Sequence, residues 1–182
     1  MKIDTAKISK FLSLVLRHDP GKIGLTLDKN GWVTVQELLD RLSEHGEPID
    51  RATLDHVVAT NDKKRFSFSE DGSEIRANQG HSIEVDLALP PKKPPDLLFH
   101  GTATRFLASI RETGLQSGSR QHVHLSQDEA TATKVGQRHG KPVVLTVRAC
   151  EMQLEGITFF CSDNGVWLTN HVAPRFIDFP NA

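Results

Sequence analysis

Apolar residues in the first part of the chain recur at helical spacing. Ile8, Phe11, Leu12, Val15 and Leu16 share one helix face, which predicts an amphipathic helix near the start. It has to stop around Arg17-His18-Asp19, because the ring of Pro20 disfavours helical backbone in the residue before it. Trp32 and Val33 form a short extended stretch after Asn30-Gly31. Thr34-Val35-Gln36-Glu37 then reads as a capping box, opening a helix that buries Leu38, Leu39 and Leu42. Asp50 is placed to cap a third helix carrying Leu54, Val57 and Val58. Polar and apolar residues alternate through Arg65-Phe66-Ser67-Phe68-Ser69, an Asp71-Gly72 turn follows, and Glu74-Ile75-Arg76 resumes an extended pattern. Asp-Gly between two such runs predicts a hairpin.

Three helices and a two-stranded wing is the order of a winged-helix domain, assigned here to residues 1–85. Residues 86–96 hold four prolines and read as a stiff linker. Beyond it, in residues 97–182, strand patterns take over, at 97–100, 123–125, 143–147, 157–160, 166–169 and 176–179. Two helices interrupt them, around 105–112 and 129–137. Long parallel alternation of strand and helix is absent, so a β-rich mixed or antiparallel second domain and an α+β class overall are expected.

Composition adds mostly exclusions. The 182 residues are 37% hydrophobic and 25% charged, with a net charge of −1. Residues 1–82 carry 12 basic and 13 acidic side chains, leaving 10 and 10 for the rest. Non-specific nucleic-acid binders usually carry a basic excess, so any RNA contact must rest on a few well-placed cations. No apolar run is long enough to span a membrane, and the first residues show no apolar core of a secretion signal. Cys150 and Cys161 are the only cysteines, which fits a reducing, cytoplasmic setting. No exposed apolar stripe is evident, so a monomer is expected. Glycine-rich dinucleotide and P-loop patterns, His-Glu-x-x-His and Gly-x-Ser-x-Gly are all missing. His122 and His124 alternate on one stretch, but the sequence offers no third ligand, so no metal is expected.

What remains is arginine and histidine. Arg17-His18 closes the first helix, Lys63-Lys64-Arg65 opens the wing, and Arg120 precedes a strand. A guanidinium grips phosphate oxygens in pairs, and an imidazole adds a donor or moves a proton. Each residue alone also fits a surface charge, since a basic side chain at a helix C-terminus complements the helix dipole.

Together these residues resemble the RNA 2′-phosphotransferase family (KptA, or tRNA 2′-phosphotransferase in eukaryotes). The matching stretches begin with Leu14-Val15-Leu16-Arg17-His18 before Pro20, then Asn61-Asp62-Lys63-Lys64-Arg65-Phe66 and Ile75-Arg76-Ala77-Asn78-Gln79-Gly80-His81-Ser82. Phe99-His100-Gly101-Thr102, Arg120-Gln121-His122-Val123-His124-Leu125-Ser126 and Asn164-Gly165-Val166-Trp167-Leu168-Thr169 follow in the family's order. They span nearly the whole chain.

The resemblance implies an N-terminal winged-helix lobe and a C-terminal lobe like an ADP-ribosyltransferase. It implies that Arg17, His18, Arg65 and Arg120 are catalytic, and that His100, Gly101, Thr102, His124 and Ser126 bind NAD, which is consumed as co-substrate. Lys63 and Arg76 become RNA-binding candidates. Arg76, Gln79 and His81 are either structural or RNA contacts, and His100 read by itself equally fits a strand-end histidine bonded to backbone. Arg138 and Arg148 are open candidates for the pyrophosphate. The implied substrate is RNA with an internal 2′-phosphate, such as a tRNA splice junction or a repair product. In the implied chemistry that phosphate attacks NAD⁺, and a 2′-phospho-ADP-ribosyl RNA forms. It resolves to 2′-hydroxyl RNA, nicotinamide and ADP-ribose 1″,2″-cyclic phosphate. Two other readings stand beside this one: an ADP-ribosyltransferase that caps terminal phosphates of RNA or DNA, and an RNA-binding protein with an inactive second lobe. Two positions merit note: Val166 lies where many ADP-ribosyltransferases carry a glutamate, as is typical of this family, and Lys64 replaces a glutamine common in relatives.

Overall fold

The first helix, α1 (Thr5–Arg17), starts where the Asp4 carboxylate accepts from the Lys7 amide at 2.9 Å. It ends at Arg17 as the sequence requires, and a turn of 3-10 helix (Pro20–Ile23) follows that the apolar pattern does not announce. A computed structural model describes residues 4–180. After strand β1 (Val33–Thr34), Thr34 caps α2 (Val35–Glu44) by accepting from the Glu37 amide at 3.2 Å. Asp50 caps α3 (Arg51–Ala59) through the Thr53 amide at 2.8 Å. Strands β2 (Phe66–Phe68) and β3 (Glu74–Ala77) form the expected hairpin, with Phe66 opposite Ala77 and Phe68 opposite Ile75. Gly72 supplies the positive φ of +71° that the turn between them needs.

The short extended stretch expected at Trp32-Val33 appears one residue on, at Val33–Thr34, as a third strand of this sheet. β1 pairs antiparallel with β3, Val33 opposite Ile75, giving the order β1-β3-β2. Two residues are too few for a strand pattern, yet they anchor the start of α2, where the Val35 amide donates to Ser73 O at 2.8 Å. Leu12, Leu16, Leu38, Leu54 and Ile75 are wholly buried at the centre of this unit, Met1–Ala88.

The second unit, Leu89–Ala182, contains β4 (Leu98–Ala103), α4 (Leu107–Thr113), β5 (Leu115–Gln116), β6 (Val123–Leu125) and α5 (Glu129–Gly136). It continues with β7 (Pro142–Val147), α6 (Ala149–Leu154), β8 (Phe160–Cys161), β9 (Trp167–Thr169), β10 (His171–Val172) and β11 (Ile177–Asp178). All its strand pairs are antiparallel: β4-β7-β11, β6-β9-β8 and β5-β10. Phe99 and Ser126 exchange both backbone bonds, at 2.9 and 2.8 Å, and so bring the middle of β4 beside the end of β6. Leu98, Leu125, Leu145, Phe159 and Phe176 fill the core.

Helix α5 lies directly on β4. A Cβ at Gly101 would stand 1.7 Å from Ala132 O, and one at Gly136 would stand 2.6 Å from Thr102 O. Only glycine permits backbone to approach backbone this closely. The mixture of helices and small antiparallel sheets is an α+β fold. Among the described residues, no helix is long and apolar enough to cross a membrane.

Candidate functional site

In the first unit the basic residues meet at element ends. Arg17 is the last residue of α1, and its Nη2 donates to Arg65 O at 3.3 Å while its guanidinium lies 5.9 Å from the Phe66 ring. His18 caps the same helix, and its Nδ1 lies 2.9 Å from Ser82 Oγ. Arg65 is fixed from two sides. The Asn61 carboxamide oxygen accepts from the Lys63 amide, the Arg65 amide and Arg65 Nη1 at 3.2, 3.3 and 3.3 Å. From β3's exit, the Asn78 amide donates to Arg65 O at 2.9 Å, and Asn78 Nδ2 donates to Lys64 O at 2.7 Å.

Lys64 takes a φ of +42°, a left-handed geometry that costs a non-glycine residue about 1–2 kcal/mol. The Asn61 and Asn78 bonds offset that cost. Lys63 is exposed beside it.

His81 is the buried partner of this group, 2% exposed, with Nε2 lacking any hydrogen-bond partner among the described residues. Burial pushes its imidazole down to about 4, and the charges of Arg17, His18 and Arg76 push the same way. It is therefore a neutral ring at pH 7. Arg76 stacks at 4.5 Å over Trp32 and donates from Nη1 to Leu87 O at 3.3 Å, while its buried Nε has no hydrogen-bond partner among the described residues.

In the second unit His100 and His124 sit on strands, and Arg120 lies in the bend before β6. His100 lies mid-way along β4, and its Nδ1 is 3.0 Å from His124 O. A carbonyl only accepts, so Nδ1 carries the proton. Burial lowers the His100 pKa; the bond to His124 opposes this, and the charges of His139 and Arg120 add to it. The neutral ring then has Nε2 as a bare acceptor. His124, on β6, lies with Nδ1 2.8 Å from Arg120 Nη1. Arginine only donates, so Nδ1 accepts and the His124 proton resides on Nε2. Burial and then Arg138 lower the Arg120 pKa.

Gly101 and Thr102 are buried on β4, and Ser126 forms the bridge to Phe99. Of the two pyrophosphate candidates, Arg138 joins this cationic field. Arg148 instead binds Glu151, Asp178 and Arg175 O in a structural knot. His122 packs edge-on against Phe160 at 5.9 Å. Among the described residues, no group of three or more His, Cys, Asp or Glu is placed to hold a metal ion.

Residues 4–171 match the model of the family described as RNA 2′-phosphotransferase, Tpt1/KptA family. The chain belongs to that family. It is 60% identical over 164 residues to a probable RNA 2′-phosphotransferase of Agrobacterium fabrum, covering 90% of this chain and 88% of that one. It is 54% identical to those of Flavobacterium johnsoniae and Trichormus variabilis, over 172 and 175 residues, covering 94% and 96% of both chains in each pair.

Within this member of the Tpt1/KptA family, each unit gathers its own share of the residues singled out above. Arg17, His18 and Arg65 come together in the first, and His100, Arg120 and His124 in the second. The supporting residues Asn61, Asn78 and Ser82 were quoted in motifs without a role. Asn61-Asp62-Lys63-Lys64 is a legible signal for one of them, because asparagine often bonds backbone two residues on. His139 gave no signal at all.

Proposed function

We propose that this chain is an NAD-dependent RNA 2′-phosphotransferase, built from a winged-helix lobe and an ADP-ribosyltransferase-like lobe. Family membership supports the reaction. The order helix, helix, helix, hairpin in Met1–Ala88 supports the first lobe assignment.

The observation that carries the NAD assignment is the chain Arg120–His124–His100. It ends in a neutral imidazole with a bare Nε2, suited to accept from a ribose hydroxyl. Arg120 with Arg138 beside it suits an anion. These residues fit a ribose-bearing, negatively charged dinucleotide. When bound, NAD supplies an anomeric carbon open to attack by the RNA phosphate, with nicotinamide as leaving group. His100 and Ser126 orient the sugars, and the close contact of β4 with α5 keeps Gly101 and Thr102 rigid.

Arg17 and Arg65 in the first unit and Arg120 in the second are donors suited to stabilise phosphate charge during transfer, and His18 adds a further donor. Donors that are aimed before reaction lower a barrier without reorganising, and each contributes on the order of 10²–10³ in rate. A phosphate dianion needs no general base, so Val166 in place of a glutamate is compatible with this chemistry.

The test is nicotinamide release from NAD⁺ with three RNAs: one bearing an internal 2′-phosphate, one a terminal phosphate, and one neither. Release only with the first supports the proposal. Release chiefly with the second makes the capping transferase the better account.

A further inference from the structure

Each helix of the first unit sets one of its cations against the unit's own acids. Lys7 on α1 is paired with Glu47 at 2.9 Å, Arg41 on α2 with Glu44 at 2.9 Å, and Arg51 on α3 with Asp55 at 2.7 Å. Arg51 also donates to Gly72 O at 3.0 Å. Helix α2 carries Glu37, Asp40 and Glu44 against Arg41 alone, a charge balance that repels a phosphate chain.

The turn before β2 has the opposite balance, because Lys63, Lys64 and Arg65 follow one another there. The main chain of Lys64 is fixed on both sides. Its amide donates to Asn61 O at 2.8 Å, and its carbonyl accepts from Asn78 Nδ2 at 2.7 Å. Its side chain is exposed, and the ammonium has no hydrogen-bond or ion-pair partner among the described residues. One trans peptide, about 3.8 Å between Cα atoms, separates this fixed residue from Arg65.

We propose that Lys64 is a further RNA contact, neutralising a backbone phosphodiester next to the 2′-phosphate. This rests on the function proposed above, which assigns Arg65 to that 2′-phosphate. RNA bound there presents two kinds of anion: the 2′-phosphate itself and the singly charged links on either side of it. A planar guanidinium suits the first, since it grips oxygens in pairs. An ammonium is a point charge on a flexible stem, so it follows a passing chain and needs closeness but no set angle. The whole chain has a net charge of −1, so each cation beside the RNA carries a large share of the attraction.

The experiment measures Kd of the full chain for a short RNA with one internal 2′-phosphate, by fluorescence anisotropy without NAD⁺, between about 50 and 200 mM salt. Each contact to a single-stranded phosphate adds about 0.7 to the slope of log Kd against log salt. Lys64→Gln should lower the wild-type slope by about that amount, so that its binding deficit shrinks about two- to threefold across the range. Lys64→Arg should keep the wild-type slope. Lys7→Gln removes the same charge from a place about 15 Å along α1 from Arg17 and should leave the slope unchanged. RNA with neutral methylphosphonate links flanking the 2′-phosphate should bind wild type and Lys64→Gln alike. A wild-type slope in Lys64→Gln overturns the proposal, as does an equal loss in Lys7→Gln or a Lys64→Gln deficit that survives the neutral links. Turnover is read separately with NAD⁺. A wild type that shows the Lys64-dependent slope yet releases no nicotinamide would defeat the functional reading and leave the contact standing.

Discussion

In Met1–Ala88 the candidate catalytic side chains stand at the ends of elements, and turns hold them: Asn61 and Asn78 bracket Arg65, and Ser82 closes the end of α1. In Leu89–Ala182 His100, Gly101, Thr102 and His124 stand within strands and register holds them, while Arg120 lies in the bend before β6. The Phe99–Ser126 bridge sets β6 against β4, and His100 and His124 follow from it. The first arrangement depends on a handful of amide side chains, each removable without dismantling the unit. The second depends on backbone geometry, so disturbing it disturbs the unit itself. Local aim and global register are thus two routes to a pre-organised group.

The largest expected effect tests the second route. Gly101→Ala places a Cβ 1.7 Å from Ala132 O, which no rotamer relieves. It should destabilise the second unit by about 3 kcal/mol or more, while the first unit keeps its own melting. Thermal unfolding followed by residue-resolved NMR separates the two. A single unshifted transition would break the comparison.

Arg65→Ala should lower turnover on the order of 10²–10³ with little loss of stability, because it removes a held donor and no core atom. Single-turnover kinetics beside a melting curve checks both halves of that statement.

His81 offers a stability test by pH. The unfolded ring takes a proton near the ordinary 6.5, the folded one only at about 4, so between these values the unfolded state binds more protons. Stability should therefore fall as pH drops from 6.5 to about 4, by at most about 3 kcal/mol, and be insensitive to this group above that window. His81→Gln should lose that slope. Denaturant titrations across the window would show it.

Asn78→Ala is the smallest and most diagnostic change. It deletes the side-chain bond to Lys64 O and should cost about 1–3 kcal/mol of stability, with kcat falling more than KM rises. An equal change in both constants would mean that Asn78 merely supports the fold.

The sequence was most readable where local chemistry decides structure. Pro20 ended α1, the hydroxyl of Thr34 and the carboxylate of Asp50 opened α2 and α3, and Asp71-Gly72 turned the hairpin. It was least readable where short elements depend on distant partners. β5 and β10 are two residues each, and α6 has six residues with only Ala149 and Met152 buried. The run at 157–160 reads as a strand, yet only Phe160–Cys161 forms one. The Ile157 amide donates to Met152 O as α6 closes, and Thr158 O accepts from the Thr169 hydroxyl. The site divides the same way. The arginines and histidines were legible by type and by resemblance. Their holders act across gaps such as the 64 positions from His18 to Ser82, which no local pattern encodes.

The most direct measurement is the mass of every product after the protein meets NAD⁺ and a short RNA bearing one internal 2′-phosphate. The account predicts RNA with a free 2′-hydroxyl, nicotinamide and ADP-ribose 1″,2″-cyclic phosphate in equal amounts. RNA that keeps its phosphate while NAD⁺ stays intact would contradict it.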